Sequence, residues 1–209
     1  LRDVGLDQGL LPMLDAILEQ PEDQSFAKLA LDRTDERVLQ GKPISPGFLF
    51  AALLWHQVEH QWQLNLQTGQ PTIVCLHNAI DSVLSAQREI FAIQRRFETD
   101  MREIWSLQPR FEKRVGKMPY RLLESPRFRA GFDFLGLRCQ AGELPMTIAS
   151  WWESFQNASS EEREKLITQA KSESSLSPKE PSNKSRRRRR RGSKNKEASE
   201  NHNDGQQFF

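Results

Sequence analysis

The chain has 209 residues, with 30 Lys and Arg against 28 Asp and Glu and a formal net charge of +2. This length fits one domain of about 150 residues with a tail. The charge is divided unevenly, because residues 1 to 156 carry 17 basic and 20 acidic side chains, whereas residues 157 to 209 carry 13 and 8. A near-neutral body with a basic tail predicts a polyanionic partner, with nucleic acid preferred over acidic lipid.

Hydropathy and cysteine usage argue against membrane-spanning and disulfide-stabilised secreted proteins. The longest apolar run, residues 48 to 55, is far shorter than the roughly 20 residues that cross a bilayer. No secretory signal is visible. Cys75 and Cys139 lie in apolar stretches without metal-ligand spacing, which is typical of reduced, buried thiols. We therefore expect a cytoplasmic protein with no membrane partner. Because the sequence opens at Leu1 in what reads as mid-helix, we also expect a fragment that lacks an N-terminal part.

The body, residues 1 to 156, has helical spacing throughout. Apolar side chains recur at intervals of three and four in these segments: residues 13 to 18, 23 to 40, 46 to 62, 72 into the nineties, 90 to 104, 128 to 139 and 148 to 155. Pro46 suits the first turn of its helix. No segment alternates with period two, and no Asn-Gly hairpin signal occurs, so strands are not expected. The sequence predicts an all-α fold, a helical body domain followed by a disordered basic tail.

The composition changes after the body. Residues 157 to 171 predict a solvated helical extension, capped by Ser159 or Ser160 with a Glu three residues on. Residues 172 to 209 have too few apolar side chains to offset the entropy of ordering, so we predict a disordered Arg/Lys-rich tail. Its six consecutive arginines would bind phosphate backbones without sequence preference. They are Arg186, Arg187, Arg188, Arg189, Arg190 and Arg191.

The sequence HQVEH, His56 to His60, fits the H-x-x-E-H pattern of inverted zinc peptidases. A catalytic zinc needs a third protein ligand, and no suitable Glu or His helix follows. We therefore favour an ordinary helix whose histidines flank its apolar face. No G-x-G-x-x-G, Walker loop, G-x-S-x-G or paired-aspartate motif is present. We expect no catalytic residue and no metal ligand in this chain.

One set of basic residues predicts a structural role. Arg88, Arg95 and Arg102 recur every seven residues, which would place them on one helical face. Glu98 lies between the last two and is spaced to pair with both. A solvated face with ion pairs is the favoured interpretation.

The segment of residues 110 to 129 is the stronger candidate for RNA contact. Only Glu112 and Glu124 oppose its cations, and Phe111, Tyr120 and Phe128 are interleaved. Cationic groups neutralise phosphates and exposed aromatic rings stack on unpaired bases, although we assign Phe128 to the core. The candidate RNA-binding residues are Arg110, Lys113, Arg114, Lys117, Arg121, Arg127 and Arg129, together with the arginine run of the tail.

Three blocks in order, PGFLFAALLW, EIWSLQPRFEKRVGKMPYRLLESPRFRAGFDFLGLR and WWESFQ, precede the arginine-rich tail. This combination resembles the C-terminal part of bacterial poly(A) polymerases, members of the class II nucleotidyltransferase superfamily. The resemblance implies a catalytic head upstream, with a Gly-Gly turn and paired aspartates that bind metal and ATP. Neither motif occurs in this sequence, so ATP and Mg²⁺ are implied for the missing head, and no cofactor is expected on this chain.

The resemblance also implies partners. The family adds adenylates from ATP to RNA 3′ ends without a template, and in bacteria the added tail promotes decay by exonucleases. The implied partners are single-stranded RNA 3′ ends and the RNA-decay machinery, with no DNA specificity. We expect the parent protein to be a polynucleotide adenylyltransferase and this chain alone to be inactive.

Two alternatives remain open at this stage. A CCA-adding enzyme of the same superfamily would bind tRNA. The arginine tail argues against it, because recognition of a folded tRNA needs a rigid surface that measures its shape more than a flexible charged tail. A non-enzymatic helical interaction module with a basic tail would bind proteins or ribosomes, and its affinity would not depend on a free RNA 3′ end.

Overall fold

A computed structural model of the chain describes residues 21 to 90 and 94 to 176. Within these two ranges there are nine α-helices and no strand, which confirms the all-α prediction. They are α1 (Pro21–Leu39), α2 (Pro46–Leu53), α3 (Trp55–Leu66), α4 (Thr72–Ile90), α5 (Arg95–Phe111), α6 (Met118–Leu123), α7 (Phe128–Gln140), α8 (Met146–Asn157) and α9 (Ser160–Leu176). The candidate helix of residues 13 to 18 and the arginine run Arg186 to Arg191 lie outside the described residues.

Two predicted helices are each divided in the structure. The segment predicted from Pro46 to Trp62 is broken at Leu54, whose backbone leaves the helical region with φ −97° and ψ 2°. Neither Pro nor Gly marks this break, so the sequence carries no local signal for it. The helix predicted from Thr72 into the nineties ends at Ile90, and α5 starts separately at Arg95.

Helices α5 and α7 form the wall between two hydrophobic cores. Towards the first core, α5 contributes Met101 and Trp105, which pack with side chains of α1 to α4. Towards the second core, it contributes Leu107 and Phe111, which pack with α6, α7 and α8. Helix α7 contributes to both cores in the same way. The position of α5 therefore depends on both halves of the body.

Helices α5 and α7 approach closely at a glycine. A Cβ added to Gly131 would lie 2.8 Å from Leu107 Cδ1, too close for an ordinary carbon contact. Buried Gln108 fixes the register there, because its Nε2 donates to the carbonyl oxygens of Ile104 at 3.0 Å and Gly131 at 3.2 Å. A larger residue at position 131 would therefore force the Leu107 side chain to shift.

The C-terminal end of α5 is held by a tryptophan of α8. Trp152 is fully buried, and its indole N–H donates to the carbonyl oxygen of Phe111 at 2.8 Å. The last carbonyls of a helix have no intrahelical donor, so this bond satisfies a group that would otherwise be buried without a partner. The Trp152 ring also meets Phe111 edge-on, with centroids 5.1 Å apart.

The final helix begins with the capping box that the sequence suggested at Ser159. The Ser159 backbone N–H donates to Glu162 Oε2 at 2.8 Å, and the Glu162 N–H donates to Ser159 Oγ at 3.4 Å. The helix ends at Leu176, so residues 172 to 176 continue it, beyond the predicted end of the extension at 171. Most of the predicted tail, from residue 177, lies outside the described residues. The predicted domain boundaries at 156 and 171 stay predictions.

We predict that Trp152→Ala lowers the free energy of unfolding by about 3–5 kcal/mol, because it removes a large buried ring and orphans the Phe111 carbonyl. Thermal or urea unfolding of the full chain measures this. Trp152→Phe keeps most of the ring volume and loses the N–H, so it should fall between the alanine variant and wild type. An alanine variant as stable as wild type would contradict the packing role of Trp152.

Candidate nucleic-acid interface

The seven predicted RNA-contacting cations of the body lie at the end of α5, on α6, in the two loops beside α6 and, for Arg129, at the start of α7. The structure separates them by what each already contacts. Arg127 donates from Nε to Glu103 at 2.8 Å and also pairs with Asp100. The hydrogen bond to Glu103 raises the pKa of Arg127 above its ordinary value. This guanidinium ties the loop before α7 to α5.

Two further cations of the set also have local partners. Arg129 pairs with Asp133 one turn later on α7, with Nε 3.1 Å from Oδ1. The guanidinium of Arg114 lies 5.9 Å from the ring centre of Trp151 on α8. Arg114, Arg127 and Arg129 thus already have partners within the fold, and RNA contact by these three stays a prediction.

The other four cations, Arg110, Lys113, Lys117 and Arg121, make no ion pair with another described residue. All four are exposed. Three of them line one groove of about 280 Å³, which we call the basic groove. Its lining residues are Arg110, Lys113 and Arg121 with Ile73, Met118 and Leu122. Lys117 lies beside it in sequence, immediately before α6.

Local sequence explains how the basic groove forms. Pro109 lies in the last turn of α5, and the chain then turns through Gly116, whose φ of +66° favours glycine. Helix α6 buries Pro119 and Leu122, which leaves Arg121 exposed on its outer side. The groove is thus built by a helix end and a short helix anchored on the second core.

One wall of the basic groove was missed by sequence reasoning. Ile73 is a half-buried residue in the first turn of α4, far from residues 110 to 122 in the chain. Only the packing of α4 against α5 brings it to the groove. No local pattern signals this proximity.

Two of the three interleaved aromatic rings are taken up by the second core. Phe111 is fully buried and Phe128 is 7% exposed, which confirms the core assignment of Phe128. Tyr120 is half-buried and meets Phe155 edge-on at 5.5 Å. Burial excludes Phe111 from stacking on unpaired bases, whereas base contact by Tyr120 stays a prediction. The apolar surface of the groove is aliphatic.

Two of the three arginines spaced every seven residues, Arg88 and Arg102, form ion pairs between helices. Arg88 on α4 pairs with Glu98 on α5, with Nε 2.8 Å from Oε1. This hydrogen bond lowers the pKa of the Glu98 carboxyl. Arg102 pairs with Asp81 of α4 at 2.5 Å. The prediction that the three arginines share one helical face is wrong, because Arg88 lies on α4 whereas Arg95 and Arg102 lie on α5. Glu98 makes its hydrogen bond to Arg88, and the charges of Arg102 and Arg95 lower its pKa further.

The HQVEH segment contributes to a polar cluster in the body. Ligand-type atoms of His56, Glu59 and Glu143 lie within 4.8 Å of one another. Glu143 was not suggested by the sequence, since it lies in the loop after α7. His60, the second histidine of the pattern, is exposed and is not among the three.

Glu143 already has protein partners. The indole N–H of Trp55 donates to both of its oxygens, at 2.9 and 3.0 Å, and Arg138 Nε donates at 2.8 Å. The buried guanidinium of Arg138 also lies 4.7 Å from the Trp55 ring centre. The protein thus supplies a positive charge at the carboxylates. Burial, followed by the charge of Glu143, raises the pKa of Glu59.

Comparison with known proteins agrees with the arrangement of a helical body and a basic C-terminal segment. The family described as polymerase A arginine-rich C-terminus matches residues 68 to 193. The chain belongs to this family. The match confirms the resemblance to the C-terminal part of bacterial poly(A) polymerase I.

Individual poly(A) polymerases are similar to this chain over most of its length. Poly(A) polymerase I of Haemophilus influenzae is 36% identical over 173 residues, which cover 80% of this chain and 38% of that protein. Poly(A) polymerase I of Salmonella typhi is 30% identical over 176 residues, and that of Escherichia coli O6:H1 is 29% identical over 177. This poly(A) polymerase region thus spans 38% of the length of these relatives. Within its described residues, no helix is long and apolar enough to cross a membrane.

The raised pKa of Glu59 gives a pH-dependent prediction. The folded chain binds this proton more tightly than the unfolded chain, so stability is lost as pH rises from the ordinary carboxyl pKa of roughly 4 to 4.5 through the raised pKa of the folded chain. Glu59→Gln removes that cost, so we expect a higher Tm than wild type at pH 7 and no difference at about pH 3.5, where both states are protonated.

Thermal unfolding at the two pH values measures this, with exposed Glu112→Gln as the matched control that changes neither Tm. A lower Tm for Glu59→Gln at pH 7 would contradict the assignment, because it would show that the folded chain stabilises the carboxylate.

Proposed function

We propose that this chain is the RNA-holding region of a poly(A) polymerase and that single-stranded RNA passes over the basic groove. The observation that carries the proposal is the placement of four exposed cations at the end of α5, in the loop that follows and on α6, where none forms an ion pair with another described residue. Since nearby Arg127 and Arg129 are already bound to carboxylates, these four cations are the best placed to bind a polyanion. A phosphate backbone is the polyanion that a run of such cations fits.

The arginine run of the tail adds a second, less specific contact. Arg186 to Arg191 place six guanidinium groups in adjacent positions, a charge density that binds phosphates regardless of base sequence. The groove then supplies a fixed position on the body, and the tail increases the time that RNA stays near it. Both features serve an RNA 3′ end that must remain bound through repeated additions.

The chemistry belongs to another part of the parent protein. The chain spans 38% of its curated relatives, whose name is that of an adenylate-polymerising enzyme. Adenylate transfer from ATP with Mg²⁺ is assigned to a head domain outside this chain, and this region alone does not extend RNA. In a bacterial cytoplasm the products would be RNA 3′ ends prepared for the decay machinery.

The family match favours this function over the two alternatives. A CCA-adding enzyme would share the superfamily, but the matching family is defined by its arginine-rich C-terminus on polymerase A. A protein-docking module would not require cations kept free of carboxylates. Its distinguishing property is binding that is independent of RNA.

We predict that Lys113→Gln with Arg121→Gln weakens binding of a labelled single-stranded RNA to the full chain. Each lost phosphate contact removes roughly 0.7 from the slope of log affinity against log salt, so the slope should fall by about 1.4. A salt series read by fluorescence anisotropy measures both quantities.

The matched control is Arg129→Gln, which removes one exposed arginine already paired with Asp133 on the same helix. Such a pair adds little to stability, so the fold is retained, and we expect a smaller change of slope than for either groove substitution. Equal slopes for wild type and the double variant would contradict the proposed function and favour a protein-docking module.

A further inference from the structure

The basic groove has two chemically different sides. Arg110, Lys113 and Arg121 provide the charge, and Ile73, Met118 and Leu122 provide an apolar surface. Ile73 and Met118 are only half-buried, so this surface is accessible. An apolar side adds nothing to the binding of phosphates, because phosphate oxygens stay solvated or bind cations.

We infer that the basic groove takes one unpaired nucleotide, with its phosphate on the cations and its base against Ile73 and Met118. The inference rests on the proposed RNA-holding function and specifies the chemistry of the same site. The flat face of a base is largely apolar, so covering it with aliphatic side chains removes apolar area from water on both partners. This replaces the aromatic stacking that the buried rings cannot provide.

The size of the groove limits its occupant to a small group. Its volume of about 280 Å³ is slightly below the roughly 300–1,000 Å³ of pockets that enclose a whole small-molecule ligand. One nucleotide fits that scale, whereas several stacked nucleotides do not. The rest of the strand continues over the exposed neighbours of the groove, including Lys117.

A duplex does not fit this arrangement. Its bases are stacked and paired inside the helix, so it would present phosphates to the three cations and leave the apolar side exposed. A single strand can turn one base outward into the groove. The site therefore discriminates in favour of unpaired RNA, such as a 3′ end.

The lining residues also predict tolerance of base sequence. Among the six side chains that line the groove there is no carboxylate and no amide, the groups that pair with the edges of cytosine and adenine, so an edge contact is open only to guanine through Arg110 or Arg121. The base is held by contact with its face, and every base has such a face.

The decisive experiment measures the contribution of the bases to binding separately from that of the phosphates. It uses the full chain and two probes of equal length and charge: a single-stranded RNA, and a phosphodiester oligomer that carries abasic spacers. We expect Met118→Ala and Ile73→Ala each to weaken RNA binding about fivefold, the scale of losing a few tens of Å² of buried apolar area. Neither should change binding of the abasic oligomer, whereas Arg121→Gln should weaken both.

Val74→Ala is the matched control, since Val74 neighbours Ile73, is 44% exposed and does not line the groove. It should leave both affinities unchanged. Thermal unfolding of each variant shows whether the fold is retained, and two variants on different helices guard against one of them failing to fold.

The outcomes distinguish this inference from the proposed function. If the apolar variants bind RNA like wild type, or lose RNA and abasic oligomer equally, the nucleotide pocket is overturned while RNA holding through phosphates stands. If the wild-type chain binds neither probe but binds an acidic polypeptide such as polyglutamate, the proposed function fails and the inference fails with it.

Discussion

The hydrogen bond from the Trp152 indole to the Phe111 carbonyl fixes the end of α5, and the candidate interface depends on that end. Arg110 immediately precedes Phe111, and Lys113 follows two residues later. A buried carbonyl without a donor would cost about 1–3 kcal/mol, so the bond and the packing of the indole favour one position for this turn. The buried aromatic residues of the segment thus position the cations of the basic groove.

The distribution of carboxylates, more than the number of arginines, defines the interface. Arg127 is bound by Asp100 and Glu103 of α5, and this pairing holds the start of α7 against α5. Among the described residues, the exposed cations at the end of α5 and on α6 make no such pair. A body with a slightly negative sequence charge can therefore present a local group of unpaired cations, because nearby Asp100, Glu103 and Asp133 pair with other arginines.

The all-α fold and the stripes of α5, α7 and α8 follow from helical periodicity, because each stripe must be buried against another helix. The breaks between helices and the partners in ion pairs were harder to predict. The break at Leu54 has no Pro or Gly, and Leu54 is itself buried in the first core. Glu98 pairs with Arg88 across two helices, although sequence spacing pointed to partners on its own helix.

The candidate site was also predicted only in part. The segment of residues 110 to 129 was identified from charge alone, but charge does not show which cations have carboxylate partners. Those partners, Asp100 and Glu103 for Arg127, belong to another element. Ile73 could not be predicted, since its place in the groove comes from tertiary packing.

The most direct test of RNA holding by the groove is to map where RNA touches the full chain. A single-stranded RNA that contains 4-thiouridine can be cross-linked to the protein, and the linked peptides identified by mass spectrometry. If the groove holds RNA, we expect cross-links to peptides from residues 110 to 122 and to the start of α4 at Ile73, in addition to the tail. Cross-links confined to the tail, with none in these two segments, would contradict it.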